Sequence, residues 1–264
     1  MPRVVFATEH DGYAYVPFGG GPLYVTHDGG ARWHAAFGRV GTFAVGGGYA
    51  YALNGSGLER SAVVRDAWTR LASPVSTNDA SIAVLGSRLW LLGRPRRRPD
   101  FATLATSTDR GRTFTRHTGP CLYDLPGRLV PAGGGVVWAV CPTGMMAGVS
   151  LSTDGGLSFP ALRSFHDPAG TSLPPLTNGA EIFPLSPQVA VLDGGGDGPL
   201  LRTTDEGRRW ARVRQPARIV QLDWLGFTTH RFGLALVQTR PSPTSVDLWR
   251  TTDGGASWRD VPIR

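Results

Sequence analysis

Ser152-Thr153-Asp154-Gly155-Gly156-Leu157-Ser158-Phe159 is the stretch that decides the fold, because its pattern, Ser/Thr-x-Asp-x-Gly-x-x-Trp/Phe, returns along the whole chain. The other intact copies are Thr26 to Trp33 (THDGGARW), Ser107 to Phe114 (STDRGRTF), Thr203 to Trp210 (TTDEGRRW) and Thr251 to Trp258 (TTDGGASW). A worn copy, Ser61 to Trp68 (SAVVRDAW), keeps the hydroxyl and the aromatic but has Val63 and Arg65 where Asp and Gly belong. The closing aromatics fall at 33, 68, 114, 159, 210 and 258, at intervals of 35, 46, 45, 51 and 48 residues. Such a period marks the repetition of one four-stranded sheet.

One copy reads as a tight turn between two antiparallel strands. Asp accepts backbone N–H bonds across the turn, and Gly supplies the positive φ that other residues resist. The aromatic then opens the next strand and packs back over the turn. The pattern resembles the Asp box, or BNR repeat, of sialidase-like and related β-propellers, where it joins the third and fourth strands of each blade on the rim away from the ligand face. The resemblance implies a structural role for Asp28, Asp109, Asp154, Asp205 and Asp253. It implies an all-β, six-bladed β-propeller of four-stranded antiparallel blades, with a seventh, unrecognised blade as the alternative.

Composition fits that class. The chain has 264 residues with 36 Gly and 21 Pro, and no apolar stripe at helical spacing is long enough to mark a helix. Short alternating runs such as Gly12 to Pro17 (GYAYVP) and Arg88 to Leu92 (RLWLL) read as strands. A repeat running from end to end predicts a single domain over 1–264. No apolar run approaches the roughly 20 residues needed to cross a bilayer, and the start lacks the apolar core of a signal peptide. All 27 basic residues are Arg, giving a net charge of +7. They are spread over every repeat, and only Arg94, Arg96, Arg97 and Arg98 cluster, which argues against a nucleic-acid partner.

Each repeat reads as four strands, with the loops that enter the first strand and those between the second and third sharing the end opposite the turns. Functional loops are expected there. That sorting collects Arg94 to Asp100, Pro142 to Gly148, Asp193 to Gly198 and Arg240 to Ser245, with Tyr123-Asp124 and the Pro-rich span from Phe165 to Gly179 among the entering loops. Arg96, Arg97 and Arg98 are candidate contacts to an acidic partner. Cys121 and Cys141 fall toward the same end, and a disulfide between them would close a loop of about twenty residues and contribute on the order of 3 kcal/mol. Two free thiols are the alternative in a reducing compartment. With the resemblance to secreted or lipoprotein-type bacterial propellers, the pair implies an extracytoplasmic protein whose export signal has been removed, with a cytoplasmic one as the alternative.

Catalytic readings have less support. A sialidase like those of the resembled family needs a late tyrosine nucleophile, and no Tyr follows Tyr123. A glycoside hydrolase with two carboxylates is the alternative function, because Asp79, Asp124, Glu181 and Asp223 lie at the entries of successive first strands, with Arg39, Arg128 and Arg218 at similar positions. The six histidines show no HxH or HExxH pairing and the cysteines lack metal spacing, so neither metal nor cofactor is expected. His27 reads as a turn residue. The expectation is a monomeric, non-enzymatic scaffold that binds a protein or glycan at the end opposite the turns, with Asp79, Asp124, Glu181 and Asp223 as candidate contacts beside the arginines.

Overall fold

The computed structural model describes residues 3–16, 20–76, 80–94, 101–122, 127–160, 173–240 and 246–262. Among them are 24 strands in six four-stranded antiparallel sheets, and no helix. The first sheet is β1 (Arg3–Phe6), β2 (Gly12–Tyr15), β3 (Leu23–Thr26) and β4 (His34–Phe37). The second is β5 (Thr42–Gly46), β6 (Tyr49–Asn54), β7 (Gly57–Ala62) and β8 (Thr69–Leu71). The third is β9 (Ser81–Leu85), β10 (Arg88–Gly93), β11 (Phe101–Ser107) and β12 (Thr115–Leu122). The fourth is β13 (Arg128–Gly133), β14 (Val136–Pro142), β15 (Met146–Ser152) and β16 (Leu176–Thr177). The fifth is β17 (Glu181–Pro184), β18 (Ala190–Asp193), β19 (Leu200–Thr203) and β20 (Ala211–Arg212). The sixth is β21 (Gln221–Phe227), β22 (Gly233–Gln238), β23 (Asp247–Thr251) and β24 (Arg259–Val261). This is the six-bladed, all-β propeller architecture that the repeat predicts.

Strands follow one another in chain order within every sheet, so each blade owns its outer strand, including β24 in the last. In five of the six repeats the aromatic that closes the turn sits just before the outer strand rather than in it, as Trp33 does before β4 and Trp258 before β24. In the third repeat β12 begins only after Phe114 and runs through Cys121. In the fourth, β16 pairs with β15 only at Met146 and Ala147, well beyond Phe159. The two cysteines, the only ones in the chain, are joined in a disulfide, with Cys121 on β12 and Cys141 on β14.

The chain forms two compact units, Met1–Leu129 and Val130–Arg264. Within the first, Tyr13, Leu23 and Val25 pack against Phe43, Ala50 and Ala52 of the second sheet, and Tyr51, Leu53 and Leu58 against Ile82, Leu89 and Leu91 of the third. Within the second, Trp138 and Val149 meet Ile182, Ala190 and Leu192, and Val191 and Leu200 meet Ala235, Val237 and Trp249. The apolar runs Leu89–Leu92 of β10 and Val136–Cys141 of β14 are buried at every residue. Each such side chain contributes about 1.5–3 kcal/mol by leaving water.

Candidate functional site

Antiparallel pairing gives every sheet two ends. At the turn end lie the first-to-second and third-to-fourth connections; at the entry end lie the chain entering the first strand and the second-to-third connection.

The turn end repeats one arrangement five times. The hydroxyl that opens the motif donates to its Asp, as in Thr26 to Asp28 (2.8 Å), Ser107 to Asp109 (2.7 Å) and Ser152 to Asp154 (2.6 Å). The same oxygen accepts the N–H of the Gly two residues after the Asp, at 3.0 Å from Gly30, 2.8 Å from Gly111 and Gly156, and 2.9 Å from Gly207 and Gly255. The Asp then accepts the N–H four residues on, from Arg32, Thr113, Ser158, Arg209 and Ser257 at 2.9 to 3.0 Å. The residue between Asp and Gly donates its N–H to the neighbouring hairpin: Gly29 to His10, Arg110 to Ser87, Gly155 to Gly135, Glu206 to Gln188 and Gly254 to Arg231.

These bonds use the carboxylates up. They hold all five below the ordinary carboxylate range: Asp109 chiefly through the Thr113 hydroxyl, and Asp28 chiefly through the Arg32 N–H. Burial opposes the shift at Asp154, Asp205 and Asp253, and the hydrogen bonds outweigh it. The carbonyl beside the Asp also meets the preceding sheet, since Arg60 donates to Arg110 O at 2.8 Å and Arg202 to Gly254 O at 2.8 Å. Arg60 also lies over the Tyr49 ring, 5.0 Å from its centre.

The worn turn is built differently. The Ser61 hydroxyl donates to Arg65 O, Val63 takes over the hairpin bond one residue early by donating to Gly48 O (3.0 Å), and Tyr13 of the first sheet donates to Val63 O (3.2 Å). Asp66, the one carboxylate of this copy, turns outward to His27 and His34 of the first sheet.

At the entry end of the second unit the chemistry is not used up in the same way. Glu181 and Asp193 face each other across β17 and β18. Asp193 is 4% exposed. Burial pushes its carboxyl up to about 7, against the pull of the Gly195 N–H, and the Glu181 charge adds to the rise. In the sixth sheet Asp223 sits at a β-bulge in β21 and accepts from the Gln221 amide (2.8 Å) and the Gln238 amide (3.2 and 3.0 Å). Asp247 accepts from Thr239. Arg218 pairs with Asp197 between the fifth and sixth sheets. Met145, at the tip between β14 and β15, is 88% exposed.

Of the residues expected at this end, the structure places Glu181 and Asp223 at the starts of β17 and β21. Asp79, Asp124, Arg96, Arg97 and Arg98 lie outside the described residues. Arg39 donates to Gly20 O at 3.1 Å, at the entry to the second sheet. The sequence marks Asp193 only as the first residue of an expected functional loop, Asp193 to Gly198; the tertiary fold shows it buried opposite Glu181. Among the described residues no three His, Cys, Asp or Glu side chains are arranged to hold a metal ion.

No protein-family model and no curated protein sequence matches the chain. Solved structures do. A structure of YCF48 bound to D1 peptide is 15% identical, with 97% of this chain and 80% of that one covered and a TM-score of 0.61. YCF48 from Cyanidioschyzon merolae is 14% identical over 98% of this chain and 84% of that one, with a TM-score of 0.63. The GH74 xyloglucanase from Xanthomonas campestris is 21% identical over 96% of this chain and 40% of that one, with a TM-score of 0.58. At these identities the likeness establishes the β-propeller fold and leaves function to the site itself.

Proposed function

We propose that this propeller is a non-enzymatic, monomeric scaffold, one domain that binds a polypeptide segment at the entry end of its sheets and works in an oxidising, extracytoplasmic compartment. The observation that carries the reading is the contrast between the two ends. The turn carboxylates are consumed by their own backbone, whereas Asp223 and Asp247 are held in place by neutral amide and hydroxyl donors, which fix a negative charge without neutralising it. Met145, at the same end of the fourth sheet, is an exposed, adaptable apolar group of the kind protein-binding surfaces use. That a YCF48 structure of the same fold holds a peptide supports a protein ligand over a glycan. The Cys121–Cys141 bond supports the compartment.

A hydrolase has weaker support: Glu181 has a carboxyl partner with raised affinity for its proton, but that partner, Asp193, is almost wholly buried and so withdrawn from a substrate.

An array of synthetic peptides graded from acidic to basic tests the reading. Basic peptides should be retained at low salt, and the double variant Asp223→Asn with Asp247→Asn should release them while melting at the wild-type temperature. Retention of no peptide, or retention untouched by the double variant, overturns it.

A further inference from the structure

The first and second sheets meet at the turn end through a chain of four titratable side chains. Thr8 donates to Asp11 Oδ2 (2.7 Å), and Asp11 Oδ1 contacts His27 Nδ1 at 2.6 Å. The other ring nitrogen, His27 Nε2, lies 3.2 Å from Asp66 Oδ2, and His34 Nε2 lies 2.6 Å from the same oxygen. The two imidazoles stand 6.1 Å apart, centre to centre.

Chemistry fixes the protonation that this arrangement demands. A neutral imidazole carries one N–H, so one of its nitrogens would aim a lone pair at a carboxylate oxygen; with a carboxylate on each side, His27 satisfies both contacts only as the imidazolium. His34 differs, because its one contact through Nε2 is met by a neutral ring protonated there. The worn turn makes the contact matter. In the other turns an Asp ties the loop to its own backbone, whereas in the second sheet the Val63–Trp68 connection lacks that Asp and its only carboxylate, Asp66, is committed to the first sheet.

We propose that Asp11, His27, Asp66 and His34 form a proton-operated latch that fixes the Val63–Trp68 connection of the second sheet to the turn of the first. The charged and titratable groups facing it are those four together with His10, whose charge acts on Asp11, and Tyr13, whose phenol burial keeps neutral. His27 is raised above the ordinary imidazole value, first by Asp11 and then by Asp66, against partial burial. Its contribution is therefore fully present below the ordinary imidazole value of about 6.5 and is lost as pH rises through the higher folded value. Asp11 is lowered, first by His27 and then by Thr8, so its contribution is present above the ordinary carboxylate range and is lost as pH falls through the lower folded value. The latch is tightest in the mildly acid window between them. On the alkaline side it loosens rather than parts, because His34 keeps its hold on Asp66.

Hydrogen exchange of the segment 61–71 in the whole protein, expressed as protection over the intrinsic rate at each pH, tests this. Protection in the wild type should fall by more than about threefold from pH 6 to pH 8.5, while the third-sheet turn at 107–114 shows no such fall. The change should disappear in His27→Gln and in Asp66→Asn. A flat wild-type profile, or a fall that persists in His27→Gln, overturns the proposal. Should either variant fold poorly, nitrogen-15 spectra of the wild-type imidazoles decide: His27 should carry protons on both nitrogens above the pH at which a free histidine has lost one, and titration at or below the free value refutes the latch.

Discussion

The five intact turns and the worn turn of the second sheet do the same geometric job with different chemistry. In the intact copies one carboxylate gathers a hydroxyl and a backbone N–H of its own loop, and the next two residues take positive φ, as at Gly155 (83°) and Gly156 (88°). In the second sheet a buried Val63 replaces that carboxylate, the hairpin bond shifts by one residue, and the loop leans on the first sheet instead. A turn that carries its own acceptor can stand by itself. One that has lost it survives by borrowing a neighbour's charges, and so becomes sensitive to a different range of pH.

The sharpest separation of the two kinds should come from the pattern glycine. At Gly207 φ is +76°, and an added Cβ would lie 2.7 Å from Trp138 Cη2 and 3.0 Å from its Cζ3. Gly207→Ala should cost about 2–4 kcal/mol in urea unfolding, combining left-handed strain with overpacking. Arg65, the equivalent of that glycine in the worn turn, is exposed and has no positive φ, so Arg65→Ala should stay within about 0.5 kcal/mol.

Next in size is the carboxylate. Asp154→Ala leaves the N–H groups of Leu157 and Ser158 without their acceptor and should cost about 1–3 kcal/mol. The reverse change, Val63→Asp, writes the missing Asp back into the second copy. It should destabilise by a similar 1–3 kcal/mol, because Val63 is 5% exposed and its N–H already serves Gly48. A gain in stability from Val63→Asp would mean that the two turns differ in sequence only.

Acid should weaken the intact turns through their own carboxylates. The turn carboxylates are depressed in the folded state, so their contribution is present above the ordinary carboxylate range and is lost as pH falls through the lower folded values. Melting followed from pH 5 downward should fall, and Asp154→Ala should fall less. The smallest effect belongs to Glu206, which with Arg110 is one of two non-glycine residues of positive φ among those described. Glu206→Gly should raise stability by about 0.5 kcal/mol, relief of left-handed strain being partly offset by the flexibility glycine gives the unfolded chain.

What was legible in the sequence was local. A hydroxyl, an Asp, a Gly and an aromatic at fixed spacing describe a turn whose bonds are nearly all within eight residues, so Ser152 to Phe159 predicts its own geometry and, by repetition, the number of sheets. Where the chain must return from the turn to its sheet, the motif says nothing. It places an outer strand at Phe159, whereas β16 lies at Leu176–Thr177. Positive φ at Arg110 and Glu206 had a signal in the Gly that fills the same position in the other three intact copies. The raised carboxyl of Asp193 and the partners of Asp66 had none, because the first is set chiefly by tertiary burial, with Glu181 12 positions away adding to it, and the second by histidines more than 30 positions away.

The arginines that donate to the turn carbonyls give this fold a mechanical property. Arg60 and Arg202 each stand immediately before the hydroxyl that opens their own turn, and each grips the carbonyl of the next sheet's turn. A pull on the second sheet's third strand is thus delivered directly to the third sheet's turn, and one on the fifth sheet's to the sixth. Force applied at the rim is shared in series between neighbouring sheets through a rigid, always-charged connector, so such a pair should yield together rather than peel apart one sheet at a time.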